Sequence, residues 1–199
     1  MKTRLIIVRH GETDSNKEGR LDGQHETMLT PNGIKQANAL SERLSKEEIN
    51  LIVSSPLKRA QDTANIIRKH HKLEIKTIPE FIEIDCGICT LMKRDEVITK
   101  YPELHKGWIN LTDPKFPRGE NLKDVEKRAI PKLKEIINKN MGKTILLVGH
   151  GSLNIGIIGH YLRIPYGLRF KIGQGNCCIN ELVIEDDDFS IKKINYIPY

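Results

Sequence analysis

Two arginines and two histidines stand where folding would gather them, and the ligand that such a group suits is a phosphate. Arg9 and His10 end the apolar run Leu5-Ile6-Ile7-Val8. Leu51-Ile52-Val53 runs into Ser54-Ser55-Pro56, with Arg59 one turn further on. Ile145-Leu146-Leu147-Val148 runs into Gly149-His150-Gly151-Ser152. Arginine pairs its planar fork with two oxygens at once and keeps its charge at any physiological pH.

The elements that must position these residues follow from the apolar runs. Three or four consecutive apolar residues read as a strand covered on both faces, as in a parallel sheet. Ligands of open α/β sheets bind outside the carboxyl ends of the strands, where Arg9, His10, Arg59 and His150 fall. Thr30-Pro31 is a helix start, and Ile34, Ala37, Leu40 and Leu44 keep helical spacing behind it. Ser55-Pro56 is expected to cap a second helix in the same way, with Leu57, Ala60, Ala64 and Ile67 as its stripe. Residues 14–28 read as a loop. A short strand is predicted within Leu73–Ile78, and Glu80–Asp85 alternates as extended chain. A long helix is marked by Leu122, Val125, Ala129, Leu133 and Ile136, and Pro131 within it is expected to bend it or break a hydrogen bond. A further helix runs from about Ser152 to Tyr161. Cys177–Ile184 and Ser190–Ile194 read as an antiparallel pair at an edge. The fold class is therefore α/β, three-layered, with a mostly parallel central sheet, helices on both faces and a lid over the carboxyl edge. One domain is expected over residues 1–199, the lid being about 86–120 with a short helix near 93–100.

At 199 residues the chain can bury a core without disulfides. Lys and Arg number 32 against 26 Asp and Glu, a net charge of +6. The lysines are scattered among acids, without the basic run of a nucleic-acid surface. No secretory signal and no membrane-length apolar run occurs. Four cysteines form no dense framework, so a reducing cytoplasm is the expected location. The partner implied is a small-molecule phosphate monoester, with no nucleic acid and no membrane; a homodimer is left open.

The blocks Arg9-His10-Gly11-Glu12-Thr13, Ser54-Ser55-Pro56-Leu57-Lys58-Arg59-Ala60 and Val148-Gly149-His150-Gly151 together resemble the histidine phosphatase superfamily, of phosphoglycerate-mutase-like fold, in its branch of small bacterial phosphatases. Pro79-Glu80-Phe81-Ile82-Glu83-Ile84-Asp85 and Pro117-Arg118-Gly119-Glu120-Asn121 extend the resemblance in the right order. It implies that His10 is the nucleophile, that Arg9, Arg59 and His150 clamp the phosphate, and that Glu83 donates a proton to the leaving group. Asn16 resembles a further phosphate contact, and Arg20, Gly151 and Asp22 are assigned to substrate binding. No metal and no cofactor is implied. The physics agrees: imidazole attacks phosphorus only when neutral, against a reference pKa of about 6.5. A cation about 4 Å away contributes up to ~4 kcal/mol at an effective dielectric of 20, so arginines beside His10 keep it deprotonated. A carboxyl group beside two arginines is ionised, and a bound phosphate dianion reverses that field and arms the acid.

Departures from the family pattern point to the substrate. A Trp-Glu-Gly-like turn is replaced by Ile88-Cys89-Thr90-Leu91-Met92, and Asp22 stands where glutamine is frequent. An acid at the pocket mouth disfavours a second acid on the substrate and favours an amine, which makes phosphoserine attractive. Phosphoglycerate, a sugar phosphate and ribazole phosphate stay open. Cys86 and Cys89 have the spacing of a redox pair or half a zinc site, though packing is the plainer reading. The expected activity is a metal-independent phosphomonoesterase working through phosphohistidine on His10. The alternative is a cofactor-dependent phosphoglycerate mutase, disfavoured because the stretch from Asp85 to Gly119 is short and leaves the site open to water.

Overall fold

The computed structural model describes residues 1–185 and 188–199. Its six-stranded sheet has the order β3-β2-β4-β1-β5-β6, with β1 Lys2–Arg9, β2 Leu51–Ser54, β3 Ile75–Thr77, β4 Thr144–Gly149, β5 Ile179–Glu185 and β6 Asp188–Tyr196. The first four strands run parallel, and β5 and β6 are antiparallel at one side. Strand pleating sends alternate residues to opposite faces. Leu5, Ile7, Leu51, Val53, Ile145 and Leu147 pack in one apolar cluster, and Ile6, Val8, Ile52, Leu146 and Val148 pack in the other. That division produces the three layers.

Helices α2 Pro31–Leu44 and α3 Lys58–Ile67 cover the second cluster through Ala37, Leu40, Leu44, Ala60, Ala64 and Ile67. The first is covered by α6 Leu122–Asn138 and α7 Gly151–Tyr161, and by α4 Arg94–Lys100 and α5 Pro102–Ile109 of the 86–120 segment. Thr30 caps α2 as expected, its hydroxyl accepting from Gly33 N at 2.9 Å. Two short helices, α1 Asp14–Glu18 and α8 Tyr166–Arg169, were not legible, and neither was α5.

Two local expectations are corrected, on the cap of α3 and the stretch that carries Glu83. Helix α3 is not capped by Ser55: its N-cap is Leu57, and the Lys58 amide donates to the Glu26 carboxylate at 2.9 Å. The positive end of α3 therefore serves Glu26. Helix α6 runs through Pro131 as one element and gives up one helical hydrogen bond there, as expected. Pro131 is exposed, so the Lys127 carbonyl that loses its helical donor lies on the solvent side. Glu83 lies on no strand; a 3-10 turn at Pro79–Phe81 leads into an irregular stretch that buries Phe81 and Ile84.

Candidate active site

Register brings the two histidines together. Arg9 pairs with Gly149 across β1 and β4, and the His10 amide donates to Gly149 O at 3.1 Å. The next residues on the two strands are His10 and His150, whose ring centroids lie 5.1 Å apart. Strand β2 is in step with β4, Ser54 opposite Val148, so Ser55 falls level with Gly149, one residue before His150.

His10 is almost fully buried, and its backbone is held on both sides, with its carbonyl accepting from Cys177 N and Asn176 Nδ2, each at 3.2 Å. Its Nδ1 lies 2.7 Å from Gly11 O. A carbonyl only accepts, so Nδ1 carries the proton and Nε2 presents a lone pair. Burial, and after it the charges of Arg9 and Arg59, hold His10 well below the usual 6.5. The sequence led us to expect the arginines as the main cause; desolvation is the larger one. His150 is lowered in the same way, first by burial and then by Arg59.

These two shifts carry a stability consequence. Both imidazoles are neutral in the fold and gain protons once unfolded, so the unfolded chain binds more protons below pH about 6.5 and stability is lost as pH falls through that range. Each contributes a slope of about 1.4 kcal/mol per pH unit there. The urea midpoint is expected to drop between pH 6.5 and 5.5, and to drop less in His150→Asn. Equal midpoints at the two pH values would contradict the neutral pair.

The arginines are held through backbone carbonyls. Arg59, fully buried on the first turn of α3, donates from Nη2 to Gly23 O and from Nη1 to His25 O, both at 2.7 Å. Arg9 donates from Nη1 to Gln174 O at 2.6 Å. In both, Nε is buried without a partner, and the same is true of His150 Nδ1. Buried donors are normally paired. Two guanidinium N–H donors and one imidazole nitrogen are thus free to meet an anion.

Glu83 faces the same space. Its carboxylate accepts from Ser152 N and Leu153 N, both at 3.1 Å, and from Ile84 N at 2.8 Å, so it closes the first turn of α7. A Cβ built on Gly151 would lie 3.8 Å from both Arg9 Nε and Glu83 Oε2, so carboxylate and guanidinium both stand against that glycine. The irregular stretch carrying Glu83 is strapped by Arg128 of α6, which donates to the carbonyls of Glu80, Ile82 and Glu83 at 2.7 to 2.9 Å. Glu120 holds the same guanidinium through both oxygens at 3.0 Å.

A cavity of about 480 Å³ opens above these groups, and Arg9, His10, Arg59, Glu83 and Gly151 form its floor. Asn16, Arg20 and Asp22 also line it. Asp22 is not at the mouth, as its sequence position had implied, but buried in the wall. Its Oδ2 accepts from Thr13 Oγ1 and Asn16 Nδ2, and Oδ1 is buried without a partner. Arg20 is tied to Glu18 at 2.7 Å and to Leu91 O at 3.0 Å. From the 86–120 segment come Arg94, Trp108, Leu111 and Phe116, with Arg94 stacked over Trp108. Cys86 and Cys89 are buried, and burial pushes both thiols up, away from the reactive thiolate. Among the described residues, no group of three or more His, Cys, Asp or Glu is placed to hold a metal.

Comparison with known proteins follows this geometry. The family model of the histidine phosphatase superfamily, branch 1, matches residues 5–197. The chain belongs to that superfamily. Phosphoserine phosphatase 1 of Hydrogenobacter thermophilus is 37% identical over 193 residues, covering 96% of this chain and 92% of that protein. The metal-independent phosphoserine phosphatase of Arabidopsis thaliana is 37% identical over 166 residues, 81% of this chain and 68% of that one. A crystal structure of a mutant phosphoserine phosphatase from Entamoeba histolytica with phosphoserine superposes at a TM-score of 0.86, with 28% identity over 97% of this chain and 96% of that one. Among the described residues no helix is long and apolar enough to cross a membrane.

Sequence reasoning missed the residues that hold Arg9, His10 and Glu83 in place. Gln174 and Asn176 lie in an unpatterned loop before β5, yet one holds Arg9 and the other joins His10 to Asn16. Arg128 reads as one more charge on an amphipathic helix. Only its place near the solvent-free side of the stripe, one residue before Ala129 and Ile130, was available as a signal.

Proposed function

We propose that the protein is a metal-independent phosphomonoesterase that hydrolyses a small phosphorylated metabolite through phosphohistidine, with the 86–120 segment as the lid of a single domain. The observation that carries this reading is the set of buried, unpartnered nitrogens, Arg9 Nε, Arg59 Nε and His150 Nδ1, in the site that holds the His10 lone pair. Arg9, Arg59 and His150 clamp the phosphoryl oxygens. His10 Nε2 forms a bond to phosphorus as the ester P–O bond breaks, and Glu83 gives the leaving oxygen its proton. Three N–H groups hold the Glu83 carboxyl group on the cavity wall, facing the leaving oxygen. In the second half, Glu83 takes a proton from the water that attacks phosphohistidine, which restores His10 and releases phosphate. Burial of all four free cysteines as thiols fits a reducing cytoplasm.

Phosphoserine is the substrate we place first. The two relatives most alike in identity here are phosphoserine phosphatases, and the buried, unpartnered Asp22 Oδ1 is an acceptor suited to an ammonium group. Both are phosphatases, which favours hydrolysis over the mutase alternative. With chelator present, phosphoserine is expected to release phosphate faster than 3-phosphoglycerate, ribazole phosphate or a sugar phosphate. Isomerised 3-phosphoglycerate without phosphate release, given the bisphosphate primer, would identify a mutase instead.

A further inference from the structure

The residue that sets the protonation pattern of the clamp lies outside it. Ser55 is completely buried at the end of β2, and its Oγ lies 2.6 Å from His150 Nε2. The Leu57 amide donates to the same oxygen at 3.3 Å. A hydroxyl has one proton to give. If His150 Nε2 carried a proton, Ser55 Oγ would accept twice and its own proton would be left in the core. His150 Nδ1 would then turn a bare lone pair on any phosphoryl oxygen beside it. If Ser55 donates to Nε2, every atom of the serine is paired and the histidine proton stays on Nδ1, the atom with no partner in the protein.

We propose that Ser55 is a positioning residue that locks His150 in its Nδ1–H tautomer, making it a hydrogen-bond donor to the phosphoryl group. The inference rests on the phosphate-clamp reading above. It explains how two neutral imidazoles 5.1 Å apart take opposite roles from the same tautomer. At His10 the Nδ1 proton goes to Gly11 O, and Nε2 is left as a lone pair. At His150 the Nε2 lone pair goes to Ser55, and Nδ1–H is left as a donor. The partner of the far nitrogen decides which face each ring shows the substrate. The lone pairs of Ser55 Oγ stay free to accept, and one takes the Leu57 amide; Ser55 does not cap α3 because it stands two residues before the N-cap Leu57.

The test pairs kinetics with direct observation of the tautomer. Two-bond proton–nitrogen correlation spectra of the whole protein should show His150 protonated at Nδ1 in the wild type. In Ser55→Ala the His150 signals should move toward the other tautomer or a mixture. Turnover of 4-nitrophenyl phosphate should fall about 10- to 100-fold, the loss expected for one misdirected donor, and orthovanadate affinity should fall with it. Adding His150→Ala to Ser55→Ala should cost far less than His150→Ala costs alone, because the two act as one unit. Ser55→Cys, close in volume with a weaker donor, should lie in between and serves if the alanine variant does not fold. If His150→Ala is slow while Ser55→Ala (or Ser55→Cys) keeps the Nδ1–H spectrum and wild-type turnover, the role of Ser55 is overturned and the clamp stands. If His150→Ala itself turns over normally, the clamp falls and this role falls with it.

Discussion

His10→Ala is expected to lower kcat by about 10⁴-fold or more, the scale on which loss of a covalent nucleophile is felt. The fold should tolerate the change. At neutral pH the ring is an uncharged buried group with one hydrogen bond, to Gly11 O, so its removal leaves a small cavity and one under-used carbonyl. That costs about 1–3 kcal/mol. Arg9, Arg59 and His150 stay behind, each tied to other residues. The variant is therefore expected to bind a phosphate monoester and keep it intact. Rapid acid-free quench of the wild type with a phosphorus-labelled substrate should yield label on the protein that is stable to alkali and lost in acid, as a phosphoramidate is. His10→Ala should yield none. A variant that kept even about a hundredth of wild-type kcat would place the nucleophile elsewhere.

The parts of this site that could be read from the sequence are those fixed by strand ends. A run such as Ile145–Val148 can only be a buried strand, and a buried strand must surface at its carboxyl end, so His150 had one place to go. The same holds for Arg9 and His10. Arg59 needed only one turn of helix beyond β2. Residues that depend on long-range contacts gave no such signal. Glu83 is placed by Arg128, 45 positions away, and by the start of α7, about 70 positions away. Gln174 and Asn176 act through a backbone oxygen and an amide, whose roles any loop residue type leaves unmarked. Ser55 misled because serine before proline is a common helix start. Here the helix starts two residues later, with Leu57 as its N-cap; Ser55 lies beside the buried imidazole, and Glu26, distant in sequence, supplies the acceptor for the helix.

Glu83→Gln separates two roles of one carboxylate, the helix closure seen in the structure and the proton donation proposed for it. As the closing group of α7, Glu83 accepts from Ser152 N and Leu153 N through different oxygens. Glutamine can serve only one of them with an oxygen and must set its NH₂ against the other, a loss of about 1 kcal/mol in stability. A shift of α7 caused by that loss would disturb Gly151 and His150 and slow every substrate alike. Loss of a proton donor acts differently. The serine alkoxide leaving from phosphoserine needs a proton in the transition state, and its hydrolysis should slow by about 10²- to 10⁴-fold. 4-Nitrophenolate leaves without one, so 4-nitrophenyl phosphate should slow by roughly tenfold or less by the same reasoning. The ratio of the two losses is therefore the measurement, with the thermal midpoint as a check on the helix. Unequal slowing with a small drop in midpoint is the expected result. Equal slowing of both esters would leave Glu83 as a helix cap, and the proton of the leaving group would have to come from another group on the cavity wall.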